Sequence, residues 1–153
     1  MKNKVVLITG ATSGIGRACA YKFASEGADI ILNGRKIELM EEIKNELTAM
    51  GVDVLLLPFD VRDREAMRSA VESLDGKWEN IDVLINNAGL VFGVDKEFEG
   101  DLDEWDIMID TNIRALLSMT RMVVPGMVSR GKGHIINIGS IAGDAAYPGG
   151  SVY

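Results

Sequence analysis

The chain has 153 residues, 47% of them hydrophobic and 25% charged, the balance of an ordinary globular domain rather than a disordered or fibrous chain. Its net charge of −7 argues against a nucleic-acid footprint, which needs clustered Lys and Arg. The single cysteine, Cys19, leaves no intrachain disulfide to form, and no apolar run approaches the roughly 18 residues of a membrane span.

Met1-Lys2-Asn3-Lys4 leads straight into a short apolar run rather than a signal peptide, so a reducing, cytoplasmic setting is expected. Val5 to Ile8 predicts the first strand. A glycine-rich turn follows, then a helix with Ile15, Cys19 and Phe23 expected on its apolar face, where Cys19 reads as a small core residue. Ile30 to Leu32 predicts a second strand, and Leu39, Ile43, Leu47 and Met50 the inner stripe of a second helix. Val54 to Leu57 is a third strand, followed by a stripe of Ala66, Met67, Ala70, Val71 and Leu74. Val83 to Ile85 is a fourth, and an irregular stretch from Gly89 to Gly100 separates it from a stripe of Leu102, Trp105, Ile109, Ile113, Leu116 and Leu117. Ile135 to Ile138 predicts the fifth strand, after which Gly139, Gly143, Pro148, Gly149 and Gly150 lead through loop to Tyr153.

The strand runs are nearly continuous in Val, Ile and Leu, which predicts strands buried on both faces of a parallel sheet. Strands alternating with amphipathic helices predict one α/β domain over 1–153, a Rossmann-type doubly wound parallel sheet. His134 has no second His, Cys pair or carboxylate cluster beside it, so no metal site is expected.

The turn Thr9-Gly10-Ala11-Thr12-Ser13-Gly14-Ile15-Gly16 has a physical use in that context. Glycine lets backbone N–H groups approach a pyrophosphate without a Cβ in the way, and the following helix points its positive end at the same anion. Any tight strand-to-helix turn can use glycine, but this one opens the first βαβ unit, where dinucleotide binding requires it.

The spacing is Gly-x-x-x-Gly-x-Gly, and here the chain resembles the short-chain dehydrogenase/reductase family. Thr9 to Gly16 looks like that family's cofactor loop, with Gly10, Ala11, Thr12, Ser13, Gly14, Ile15 and Gly16 the implied cofactor-binding positions. Asn86-Asn87-Ala88-Gly89 resembles its second signature, and Asn112 its structural asparagine. Ser140 and Tyr153 resemble its catalytic pair. The likeness runs along the whole chain. It implies that Asp60 accepts from the adenine amino group while Val61 offers its backbone N–H, and that Asn87, Ala88 and Gly89 line the adenosine ribose. Taken alone, Asp60 could equally cap the next helix, and the Asn-Ala-Gly run could be a plain turn.

An NAD site places an acid at the end of the second strand to hold the ribose 2′-OH. Here the strand runs into Asn33-Gly34-Arg35-Lys36. A guanidinium can grip a 2′-phosphate through two bonds, so NADP(H) is the predicted cofactor, with Arg35 as reader and Lys36 in support. The alternative is that both are solvated charges at a helix start. Ser13 stands against NADP, since many NADP-dependent members carry a base there.

Reducing a ketone builds negative charge on its oxygen, which needs a hydrogen-bond donor and then a proton. Ser140 can donate and Tyr153 can deliver the proton. A phenol ionises near pH 10, so a tyrosine in this role needs a cation beside it. The resemblance implies a lysine four residues after the tyrosine, a position past Tyr153, and the domain is therefore expected to be incomplete at its carboxyl end. Asn112 resembles the residue that holds a water linking to that lysine.

Longer stretches, Trp78 to Asp82, Asp110-Thr111-Asn112, Pro125 to Val128 and Tyr147 to Gly150, resemble the NADP-dependent serine and 3-hydroxy acid dehydrogenase branch. That implies a small hydroxy or oxo acid substrate such as serine or allo-threonine. A 3-oxoacyl-thioester reductase of the same family is the competing enzyme, and a noncatalytic dinucleotide-binding module the competing class. A homotetramer is expected from the family, with Trp105, Met108, Met119 and Met122 as contacts; no nucleic-acid or membrane partner is expected.

Overall fold

The computed structural model describes every residue except 94, 146 and 151. Five parallel strands lie in the order β3-β2-β1-β4-β5. They are β1 (Val5–Ile8), β2 (Asp29–Gly34), β3 (Val54–Pro58), β4 (Ile81–Asn86) and β5 (His134–Asn137). The order reverses between β1 and β4, and a crevice opens at the carboxyl ends where the chain leaves the sheet in opposite directions.

The faces of β1 separate two cores. Val6 and Ile8 pack with α1 (Gly14–Ser25) and α2 (Ile37–Ala49), through Ala20, Ala24, Met40, Ile43 and Leu47. Val5 and Leu7 face the other way, toward Met67 of α3 (Arg64–Glu72) and Met119, Val123 and Met127 of a long helix. That helix comprises α4 (Leu102–Ile109), a π-helical turn Asp110–Ala115 and α5 (Leu116–Ser129). Small residues on α1 (Gly16, Ala20, Ala24) let it lie close on the sheet, and Gly27 ends it at φ +83° with its N–H on Ala24 O. Asp63 caps α3 through the N–H groups of Glu65 and Ala66 at 3.1 and 2.9 Å, so the capping role open to Asp60 belongs to Asp63.

Several expectations change. Ile15 is 58% exposed and faces solvent rather than the core, while Cys19 and Phe23 are half-buried against it. The inner stripe of α2 is Met40, Ile43 and Leu47; Leu39 and Met50 flank it and are exposed. On the long helix the buried line is Met108, Thr111, Ala115, Met119, Val123 and Met127, whereas Leu102, Ile113 and Leu117 point outward. This helix is apolar on more than one side, and the extra residue of the π turn shifts the inner face. Met108 and Met119 are therefore core residues, not subunit contacts. β5 also departs from the buried pattern: it pairs with β4 alone among the described residues, and Ile135 is 37% exposed. No described helix is long and apolar enough to cross a membrane.

Candidate active site

The carboxyl ends of β1 and β4 are stitched together. Buried Thr9, just after β1, receives the N–H groups of Asn87 and Ala88 on its hydroxyl oxygen, both at 3.0 Å. Asn87 returns its side-chain amide to Thr9 O and Gly10 O at 2.9 and 3.1 Å. These bonds hold the glycine turn against the loop that follows β4. The turn has no space for side chains where it touches that loop. A Cβ on Gly10 would stand 2.9 Å from Ala88 Cα, and one on Gly16 would stand 2.5 Å from Gly10 O. Gly14, at φ +52°, takes the backbone into the left-handed region.

Ser13 sits at the N-cap of α1 in extended conformation, yet its side chain makes no capping bond, and the first turn carries no acid. The opening amides of α1 are thus left for an outside acceptor, and the helix dipole favours an anion there. This turn borders a cleft of about 440 Å³ that includes Gly10, Thr12, Ser13, Gly14 and Ile15, then Arg35, then Asp60 and Val61, and Asn87 to Leu90. The cradle of close-packed glycines and uncapped amides fits a dinucleotide pyrophosphate.

Three expected cofactor residues lie off the cleft wall. Ala11 is fully buried and its N–H donates to Asn33 O at 2.9 Å. Gly16 is buried where α1 meets the turn. Lys36 is exposed at the N-cap of α2. At the far rim, Asp60 is paired twice: Arg62 Nη2 reaches Oδ2 at 2.7 Å, and Arg35 Nη1 stands 3.7 Å from the same oxygen. The bonds from Arg62 outweigh burial and hold the Asp60 carboxyl below the usual carboxylate range.

A second cleft of about 320 Å³ holds Asn112, Ser140 and Tyr153 together. It shares Ala88, Gly89, Ile138, Gly139 and Tyr153 with the first, so the two adjoin. Ser140 Oγ accepts from the Ala142 N–H at 3.1 Å, which leaves its own hydrogen free to donate. The Asn112 side chain clasps one residue: Oδ1 accepts from Leu90 N at 2.9 Å and Nδ2 donates to Leu90 O at 2.7 Å. It pins the loop leaving β4, a job distinct from the water-holding role the resemblance implies.

Sequence reasoning passed over several residues here. Arg62 lines the first cleft, only two positions from Asp60, and its charge beside an expected site residue was the available signal. Asn86 Nδ2 donates to Thr120 Oγ1 and Asn137 Oδ1, both at 2.9 Å, beneath the second cleft. Thr111 Oγ1 and Asn33 Oδ1 are buried beside the first cleft without a hydrogen-bond partner among the described residues. Among the described residues, no group of three or more His, Cys, Asp or Glu could hold a metal ion.

A parallel sheet with a glycine-turn anion cradle at its switch point and a Ser–Tyr pair further along the same crevice defines a dinucleotide-binding α/β protein of the dehydrogenase type. The sequence profile of the short chain dehydrogenases matches residues 4–153, and the chain belongs to that family. It is 47% identical over 149 residues to the NADP-dependent 3-hydroxy acid dehydrogenase YdfG of Salmonella typhi, covering 97% of this chain and 59% of that protein. The NADP-dependent 3-hydroxy acid dehydrogenase of Schizosaccharomyces pombe is 44% identical over 155 residues, covering 100% of this chain and 60% of that one. Among solved structures, the closed form of serine dehydrogenase complexed with NADP+ superposes with a TM-score of 0.92 at 46% identity, over 97% of this chain and 59% of the other. The chain thus spans about three fifths of the length of these relatives.

Proposed function

We propose that this chain forms the NADP(H)-binding unit of an oxidoreductase that interconverts a hydroxyl and a carbonyl on a small 3-hydroxy acid such as serine or allo-threonine. The observation that carries the reading is the adjacency of the two clefts, which share Tyr153 and four further wall residues and so put the glycine cradle beside Ser140 and Tyr153. The relatives named for NADP and for 3-hydroxy acids, and the serine dehydrogenase holding NADP+, support the choice of cofactor and substrate class.

The first turn of α1 holds the pyrophosphate through the amides after Ser13, and Thr12 and Ile15 flank it. Arg35 receives the 2′-phosphate, Asp60 and Val61 meet the adenine, and Ala88 and Gly89 border its ribose. NADP(H) supplies the hydride exchange when bound. In the reducing direction the Tyr153 hydroxyl gives its proton to the substrate oxygen, and in the oxidising direction it takes that proton back. Ser140 donates its free hydrogen to the same oxygen and fixes its position. Asn112 keeps the wall between cofactor and substrate ends in place through Leu90. The working form is a cytoplasmic homotetramer.

The 153-residue chain alone is expected to turn over neither substrate, so the test is turnover by the complete protein of L-allo-threonine or L-serine with NADP+, set against acetoacetyl thioester with NADPH. Oxidation of the hydroxy acids at the higher kcat/KM is expected. Faster thioester reduction would transfer the reading to an acyl-thioester reductase, and no turnover of either with intact NADPH binding would leave a binding module.

A further inference from the structure

Arg35, Asp60 and Arg62 all line the far rim of the first cleft, and this places a carboxylate beside the guanidinium that would meet a 2′-phosphate. A bare carboxylate there would repel a phosphate dianion and compete with it for Arg35. Asp60 is not bare. Arg62 Nη2 donates to Oδ2 at 2.7 Å, Nε lies 3.1 Å from Oδ1 and 3.2 Å from Oδ2, and the Arg62 backbone N–H donates to Oδ1 at 3.0 Å. Arg35 stands back at 3.7 Å, and its side chain is 66% exposed against 34% for Arg62.

The Arg62 fork closes over two residues, inside a turn in which the Asp63 N–H donates to Asp60 O at 2.9 Å. Its geometry is therefore set by the turn rather than by whatever enters the cleft. The rim then carries two cations, Arg35 and Arg62, against one carboxylate whose hydrogen bonds all go to the second.

We infer that Arg62 is a specificity-determining positioning residue: by taking the hydrogen bonds of Asp60, it holds Arg35 to a looser ion pair at 3.7 Å, from which the guanidinium can turn to a 2′-phosphate, and so sets the preference for NADP(H) over NAD(H). The inference rests on the reading of this cleft as a dinucleotide site. In a Arg62→Met protein the released carboxylate would turn on Arg35 and on the phosphate together, a loss that NADH, with no 2′-phosphate, would not feel.

The experiment measures Kd for NADPH and for NADH by titration of the wild type, Arg62→Met, Asp60→Asn and the double variant. Arg62→Met is expected to lower the NADPH:NADH preference roughly tenfold while NADH affinity stays within about twofold. The double variant, with no carboxylate to release, recovers most of the preference, and Asp60→Asn alone weakens both cofactors without lowering it. Equal loss for both cofactors in Arg62→Met, or no recovery in the double variant, overturns the role of Arg62. Should Arg62→Met fail to fold, Arg62→Lys keeps the charge without the fork and is expected to lower the preference less but in the same direction; an unchanged preference overturns the role. A wild type that binds neither cofactor overturns instead the reading of the cleft.

Discussion

At the amino ends of the strands, charges close on one another. Asp82, at the start of β4, receives Lys4 Nζ at 2.9 Å and the Val5 N–H at 3.1 Å, with Lys132 at 3.8 Å. Lys77 joins Asp29 at 2.6 Å and also Asp53, tying β2 to the entry of β3. At the carboxyl ends of the same strands, Ser13 leaves its helix uncapped, and Asn33, Asn86 and Thr111 each keep a buried polar oxygen without a partner among the described residues. The amino edge spends its charges on one another and leaves one buried group, Arg130 Nε beside Ile81, without a partner among the described residues, whereas three such groups gather at the other edge. Buried polar groups are costly when unmet, so their concentration along one edge marks where the fold yields stability to binding.

The largest expected break in that contrast lies in the second cleft. In the complete protein, Tyr153→Phe and Ser140→Ala should each lower turnover by about a hundredfold or more while NADPH affinity is preserved. Steady-state rates beside a binding titration check this, and near-normal rates in both variants would remove the hydroxyl pair from the chemistry. Next comes the cradle. Gly16→Ala brings a Cβ against Gly10 O and the Asn87 amide, and should cost about 1–3 kcal/mol and most NADPH affinity. Gly14→Ala meets no atom within 4 Å and should cost only the left-handed backbone, about 1 kcal/mol. Denaturant titration of the pair separates crowding from backbone strain.

The smallest effect, on the opposite edge, concerns stability alone. Burial pushes the Asp82 carboxyl up, but Lys4, the Val5 N–H and Lys132 outweigh it and hold it below the usual range. A lowered folded value means that the unfolded chain binds the proton more readily. The contribution of Asp82 is therefore full above about pH 4 and drains away as pH falls through the folded value. Asp82→Asn should cost roughly 1–3 kcal/mol at neutral pH and flatten the acid limb of stability against pH, with cofactor affinity unchanged. An unaltered acid limb would assign the acid sensitivity to other carboxylates.

The sheet was legible because Val5–Ile8 and its counterparts are short, dense in β-branched residues and separated by helix-length intervals. Helix faces were less so. On α2, Met40 rather than Leu39 turns inward, a one-residue difference that spacing alone cannot resolve when both neighbours are apolar. On the long helix, apolar residues occupy several sides, and a π turn leaves no sequence mark by which its shift could be foreseen. That β5 would lie exposed depends on what pairs with it, which a run of Ile cannot state. At the site, the glycine turn is contiguous and reads directly, although the turn of the Ala11 N–H toward Asn33 O at the end of β2 depends on how the strands pair. The Asn86–Thr120–Asn137 group spans 34 and 51 positions, so nothing local announces it.

The knot of Thr9 and Asn87 makes the floor beneath both clefts a single piece. The carboxyl ends of β1, β4 and β5, about 4.8 Å apart, set the spacing between the phosphate cradle and the point from which the chain leaves for Ser140 and Tyr153. Substitutions on the rims can therefore retune what the crevice prefers while the floor that joins β1 to β4 keeps its place.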